Sequence, residues 1–276
     1  MKKLHFDYRM EITYSELAGS CHYTLKCIPG DTSRQRVEAL RTELLPENRW
    51  CRSRDSFGNE MLFGSVEGSH TCFCCHVEGD VRTGLAESEE QGPEGLLGIY
   101  RYPHGLAVPG EGLLAYSDCL AEEGIISGEV PEKGNCSEAC VCPAIKLMHR
   151  LHQDFRYEKA VTNLKTAAEE AWQLGCGVCQ DYVHVLIALC RLAGIPARYV
   201  AGMMIGEGES HAWVEVLSGG KWYGLDPTND RVVNEDYIRL GTGRDAADCT
   251  LNRGIVMGGG IQSQRVTVHV TEAGSN

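Results

Sequence analysis

The stretch whose reading decides the fold is Gly175-Cys176-Gly177-Val178-Cys179-Gln180-Asp181-Tyr182-Val183-His184-Val185-Leu186-Ile187-Ala188-Leu189-Cys190-Arg191-Leu192-Ala193-Gly194-Ile195-Pro196. From Gln180 to Ala193 it is almost wholly apolar, and glycine followed two residues later by proline is a helix stop signal. A helix of this composition must be buried on most sides. Cys179 falls at or just before its first turn, where unpaired N–H groups and the positive end of the helix dipole favour a thiolate.

Past this helix, Ala197 to Ile205 reads as a strand, and His211 to Leu217 and Lys221 to Asp226 read as two more joined through Ser218-Gly219-Gly220. If the loop is even-numbered with Gly219-Gly220 at its tip, Leu217 faces Trp222, Glu215 faces Gly224 and Trp213 faces Asp226. Side chains repeat every two residues along a strand, so His211, Trp213 and Asp226 then share one face. His211 and Asp226 become diagonal neighbours roughly 7 to 8 Å apart at the backbone, within side-chain reach. An odd loop without a bulge would put them on opposite faces. A thiolate, a histidine and a carboxylate so placed would form a nucleophile, a general base and the group that orients the base.

The order and flanks of these residues extend the argument. Gly177-Val178-Cys179-Gln180-Asp181-Tyr182-Val183-His184, then Ala193 to Gly202, His211-Ala212-Trp213-Val214-Glu215-Val216, and Trp222 followed by Asp226-Pro227-Thr228-Asn229 resemble the transglutaminase-like superfamily. Gly243-Arg244-Asp245 and Arg253-Gly254 resemble its bacterial branch, in which a β-rich N-terminal domain precedes the catalytic one. The resemblance is strong from about residue 145 to 272 and architectural before that. It implies a papain-like core with Cys179 as nucleophile, His211 as general base, Asp226 as its partner and the Cys179 backbone N–H as one oxyanion donor. It also implies thiol-dependent acyl chemistry through a thioester, on a peptide, protein or other amide substrate, with no cofactor and no metal. Hydrolysis, as in a cysteine protease, is favoured over transfer of a glutamine acyl group to an amine. A binding or scaffold module that keeps the fold without turnover is the competing class.

The N-terminal segment supports a β-rich partner for this core. Leu4, Phe6, Tyr8, Met10, Ile12 and Tyr14 alternate with His5, Asp7, Arg9, Glu11 and Thr13, the pattern of a half-buried strand. Further strand-like runs span Cys21 to Ile28, Val37 to Leu45, Asn59 to Val66 and His70 to Val81, a spacing that predicts a small antiparallel β-sandwich. The polar Glu87 to Gly95 reads as a domain join. The expectation is therefore an α+β chain with a β-sandwich over 1–90 and a papain-like, transglutaminase-core domain over 91–276. Helices are expected from near Ser137, interrupted around Pro143, and from about Asn163 to Leu174. Gln264 to Thr271 alternates and should close a sheet or pair with an edge.

Composition bounds the rest. The 276 residues are 43% hydrophobic and 23% charged, enough for real cores, and 26 Lys and Arg against 38 Asp and Glu leave a net charge of −12 that would repel nucleic acid. No run approaches the roughly 18 to 20 apolar residues of a spanning helix, and Met1-Lys2-Lys3 leads into alternation where a signal peptide would have an apolar core. We therefore expect a cytoplasmic chain with neither nucleic-acid nor membrane partners. Fourteen cysteines in such a compartment read as mostly buried free thiols. Cys176-x-x-Cys179 before a helix matches a dithiol redox motif, but those follow a strand and the residues before this one read as helix. A Cys176–Cys179 disulfide masking the nucleophile is the more reasonable role for Cys176. Neither Cys72-Phe73-Cys74-Cys75-His76 nor Cys136, Cys140 and Cys142 repeats zinc-knuckle spacing. Trp213 and Trp222 read as packing residues, Asp181 as a complement to the helix N-terminus, and His184 as a hydrogen-bonded core histidine.

Overall fold

In the computed structural model, residues 1–85, 98–126 and 141–274 are described. The expected join at Glu87 to Gly95 and the thiols of Cys136 and Cys140 lie outside them. Strand β1 (Lys2–Leu25) is the organising element, and it is longer than its alternation suggested. The even-numbered side chains from Leu4 to Tyr14 are buried as expected, each contributing roughly 1.5–3 kcal/mol. Beyond Ala18 the buried parity becomes odd, at Cys21, Tyr23 and Leu25. Irregular register between Thr13 and Cys21 marks the cause: β-bulges re-aim the strand and increase its twist.

The first half of β1 lies between β5 (His70–Thr83) and β15 (Gln262–Glu272), and its second half between β4 (Glu60–Val66) and β14 (Asn252–Gly258). Strands β2 (Gln35–Leu45) and β3 (Arg49–Arg54) extend this sheet beyond β5 and β4, and β9 (Gly206–Gly208) extends it beyond β15. All pairings are antiparallel. The expected two-sheet sandwich is thus replaced by one curled eight-stranded sheet, because a single strand runs through both halves. Three of its strands come from beyond residue 200, so sheet membership crosses the division expected at residue 90.

A second antiparallel sheet has the order β12 (Arg231–Val232), β11 (Lys221–Asp226), β10 (His211–Ser218), β8 (Ala197–Met204), β13 (Tyr237–Gly243). Helix α5 (Cys179–Leu192) packs on β8 and β10, and every residue from Asp181 to Arg191 is buried. It is enclosed by α2 (Glu111–Glu122), α3 (Val141–Asp154) and α4 (Ala168–Leu174). Its one buried guanidinium, Arg191, donates to the carbonyls of Tyr100, in α1 (Gly98–Arg101), and of Ala197 and Arg244. Met203, Ile238 and Leu240 of β8 and β13 join the core formed by Leu4, Phe6, Val77 and Val270, so the two sheets share one apolar interior.

Two helix boundaries differ from expectation. The helix expected from Asn163 starts at Ala168, because Asn163 accepts the Lys165 N–H and Thr166 accepts the Asn163 N–H in a local turn. Helix α3 runs unbroken through Pro143, which sits in the first turn, where no N–H is needed. Cys75 points into the core with its Sγ 3.6 Å from that of Cys27, while Cys72 and Cys74 turn the other way.

Candidate active site

Cys179 is the first residue of α5, preceded by Val178 in an extended conformation. Between α4 and α5 the chain makes a two-residue strand, β7 (Cys176–Gly177), parallel to β6 (Arg156–Tyr157), which aims the helix N-terminus. Val178 has no side-chain acceptor, so the cap is made from inside the helix: Oδ2 of Asp181 accepts the Val178 N–H at 2.8 Å and the Thr162 hydroxyl at 2.6 Å. Burial raises the Asp181 pKa, opposed by these two bonds. This is the helix-start role expected of Asp181, and it explains Gly177, where a Cβ would run into the Asp181 carboxylate. The first-turn N–H groups of Cys179 and Gln180 have no intrahelical acceptor.

The hairpin has the expected register. Leu217 pairs with Trp222, Glu215 with Gly224 and Val214 with Leu225 around the two-residue turn Gly219-Gly220, both glycines at positive φ. His211 and Asp226 therefore share a face, and Nε2 of His211 donates to Oδ2 of Asp226 at 2.8 Å. The same oxygen accepts Asn229 Nδ2 at 2.8 Å and the Tyr237 hydroxyl at 2.7 Å, while Oδ1 accepts the N–H groups of Thr228 and Asn229. Asp226 is fully buried. Burial alone would raise its pKa, but the bond and charge of His211, then Asn229 and Tyr237, bring it below the ordinary value.

Burial likewise disfavours the His211 imidazolium. The Asp226 hydrogen bond and then the neighbouring Cys179 overcome that and lift the pKa to about 9. With Nε2 committed to Asp226, Nδ1 is the nitrogen left to exchange a proton with Cys179. The half-buried Cys179 and His211 line one open cleft of about 680 Å³. Its walls include Tyr157 of β6, Lys159 just beyond it, and the Gly206 to Ser210 connection whose β9 segment is paired to β15. The curled sheet thereby forms one wall of the cleft.

The other singled-out residues sit elsewhere. Trp213 packs edge-on to Tyr237 at 5.3 Å, against Gly202, where a Cβ would strike its ring. Trp222 lies between Tyr100 and the Arg198 guanidinium, 4.0 Å above its ring. His184 is a core histidine whose Nε2 accepts the Ala246 N–H, and burial pushes its pKa down to about 4. Cys176 is buried and unpaired, with its thiol directed at the Leu174 carbonyl. Sequence reasoning missed Tyr237 and Arg231. They lie on strands without a motif, and only the carboxylate they serve was marked.

This arrangement sits within a recognisable lineage. Residues 4–82 match the bacterial transglutaminase-like N-terminal region, and residues 132–227 match the core of the transglutaminase-like superfamily. The chain belongs to the transglutaminase-like superfamily. The chain is similar to an uncharacterised protein of Mycobacterium leprae, 27% identical with 94% of each chain covered. Another, from Mycobacterium tuberculosis H37Rv, is 29% identical over 90% of this chain and 86% of the relative. Among solved structures, a Cytophaga hutchinsonii protein described as a candidate cysteine protease superposes with a TM-score of 0.75 at 20% identity, covering 100% of this chain and 92% of its own. At that identity the likeness establishes the transglutaminase-like fold.

Proposed function

We propose that the protein is a thiol-dependent acyl enzyme that hydrolyses a peptide or other amide bond through Cys179, His211 and Asp226. The observation that carries this reading is the 2.8 Å bond between His211 and a buried, ionised Asp226 in the cleft that also holds Cys179 at a helix N-terminus. The Cys179 thiolate attacks the amide carbonyl, and its own backbone N–H donates a hydrogen bond to the oxygen on which charge develops. His211 passes its Nδ1 proton to the leaving amine, the C–N bond breaks, and a thioester remains on Cys179. Water then attacks the thioester while His211 takes its proton, and the acid leaves with the thiolate restored. Asp226 holds the neutral imidazole of the thioester stage in the tautomer that presents Nδ1, and it stabilises the imidazolium that stands before the first half and forms again in the second.

The cleft volume suits an extended polypeptide, and Glu207 and Glu209 on its wall, with the net charge of −12, favour neutral or cationic segments. The test is the pH dependence of Cys179 alkylation in the reduced native protein, read peptide by peptide by mass spectrometry, beside His211→Ala. The other thirteen cysteines are internal controls. Fast reaction of Cys179 alone below about pH 7, lost in the variant, is the expected result. A Cys179 no faster than its neighbours points to a non-catalytic module.

A further inference from the structure

Oxygen Oδ2 of Asp226 is shared by three donors, the His211 ring, the Asn229 amide and the Tyr237 hydroxyl. Two of them are chain neighbours in one turn or one hairpin. Tyr237 is brought from β13, on the far edge of the sheet. Its hydroxyl also accepts a 2.6 Å bond from Nε of Arg231, whose guanidinium lies over the ring at 5.1 Å. The pairing of β11 with β12 places Arg231 opposite Asp226, so the cation, the phenol and the carboxylate converge from three strands. Burial and the Asp226 charge push the Tyr237 phenol upward, which keeps it a donor throughout the working pH range.

We propose that Tyr237, gripped by Arg231, is a positioning residue that aims the Asp226 carboxylate and draws charge away from the oxygen holding the proton on His211. The inference rests on the roles proposed above for His211 and Asp226. Each donor to a carboxylate oxygen makes it a weaker base, and a cation behind the phenol polarises its O–H further. A less basic Asp226 stabilises the imidazolium less. That matters because His211 must surrender its proton to a leaving amine, and an imidazolium far above the working pH is a poor acid. Asn229 cannot do the same work alone, since its amide is neutral and no cation stands behind it among the described contacts.

The groups facing His211 are Asp226 from β11, Cys179 from α5 and the Tyr237 ring from β13, with Lys159, Glu207 and Glu209 lining the same cleft. Thr228 and Asn229 face Asp226. Substituting Tyr237 or Arg231 leaves all the others in place.

The test is an NMR titration of the His211 ring in the full chain, its signals assigned by their loss in His211→Gln. Tyr237→Phe keeps the ring packed on Trp213 and removes only the hydroxyl. The midpoint should rise by about 0.5 to 1 pH unit. Arg231→Gln, at a half-buried position, should produce a smaller rise, and the double variant should match Tyr237→Phe alone because the guanidinium acts through the phenol. A midpoint that stays or falls in Tyr237→Phe overturns the proposal. So does an additive rise in the double variant, which would mean that Arg231 acts directly through space. The titration reads the His211–Asp226 pair whether or not Cys179 turns over, so failure of the proposed activity, seen in the alkylation assay, is separable from failure here.

Discussion

Nε2 of His211 and Oδ2 of Asp226 meet at 2.8 Å across adjacent strands, with the carboxylate wholly withdrawn from water. An amide in place of Asp226 would offer the ring a donor or a neutral acceptor and could not stabilise the imidazolium. Asp226→Asn should therefore cut the rate of Cys179 alkylation below pH 7 by on the order of 10²-fold or more while the protein remains folded. Parallel rates for the variant and the parent would remove Asp226 from the mechanism.

Two histidines, the buried His184 and the half-buried His211, give the stability profile opposite limbs. His184 is pushed down to about 4 from an ordinary value of 6.5, so between those pH values the unfolded chain binds a proton that the native one refuses. Its contribution is complete above about pH 6.5 and is lost as pH falls toward 4. His211 is raised to about 9, so its contribution is complete below about pH 6.5 and is lost as pH rises through 9. Chemical denaturation across pH should show a maximum near neutrality. In His211→Gln the alkaline limb should flatten while the acid limb stays.

Gly177 lies against the Asp181 carboxylate, and a Cβ there would enter the space its oxygen occupies. Gly177→Ala should break the Asp181 grip on the Val178 N–H and destabilise the fold by about 1–3 kcal/mol. It should also slow Cys179 alkylation, since the same cap sets the first turn. An unchanged urea midpoint would show that the turn relaxes around the methyl group.

Strand β15 pairs with β1 from Leu4 to Tyr14 and contributes Val268 and Val270 to the interior. A chain ending before Gly259 should lose cooperative unfolding throughout, including the part nearest the N-terminus. Urea denaturation followed separately by tryptophan fluorescence and by far-ultraviolet circular dichroism should give coincident transitions for the full chain. Two well-separated transitions would mean that the halves fold independently.

Gly208 faces the cleft with no atom within 4 Å of where a Cβ would stand. A larger side chain therefore fits the backbone and fills the cleft instead. Gly208→Leu should reduce cleavage of a long peptide at least tenfold while leaving alkylation by small iodoacetamide near that of the parent. An equal loss of both would indicate that the substitution disturbs Cys179 itself.

The sequence by itself determined what depends on short-range periodicity and turn chemistry. The apolar run from Tyr182 to Leu192 reads as a buried helix, which puts Cys179 at or just before its first turn. The Gly219-Gly220 tip narrowed the hairpin to a choice of loop parity, and the observed two-residue register puts His211 and Asp226 on one face. The even alternation from Leu4 to Tyr14 marks a sheet face, and His184 within the helix is a core histidine. Tertiary structure alone decided where the register of β1 changes, because a bulge shifts side-chain parity without a residue pattern to announce it. It also decided that residues 252–272 complete the sheet begun at Lys2, since strand partners are chosen by which faces can be buried together and not by proximity along the chain. Tyr237 and Arg231 became visible for the same reason. Neither carries a motif, and their relation to Asp226 exists only because three strands converge on one buried oxygen whose charge must be satisfied.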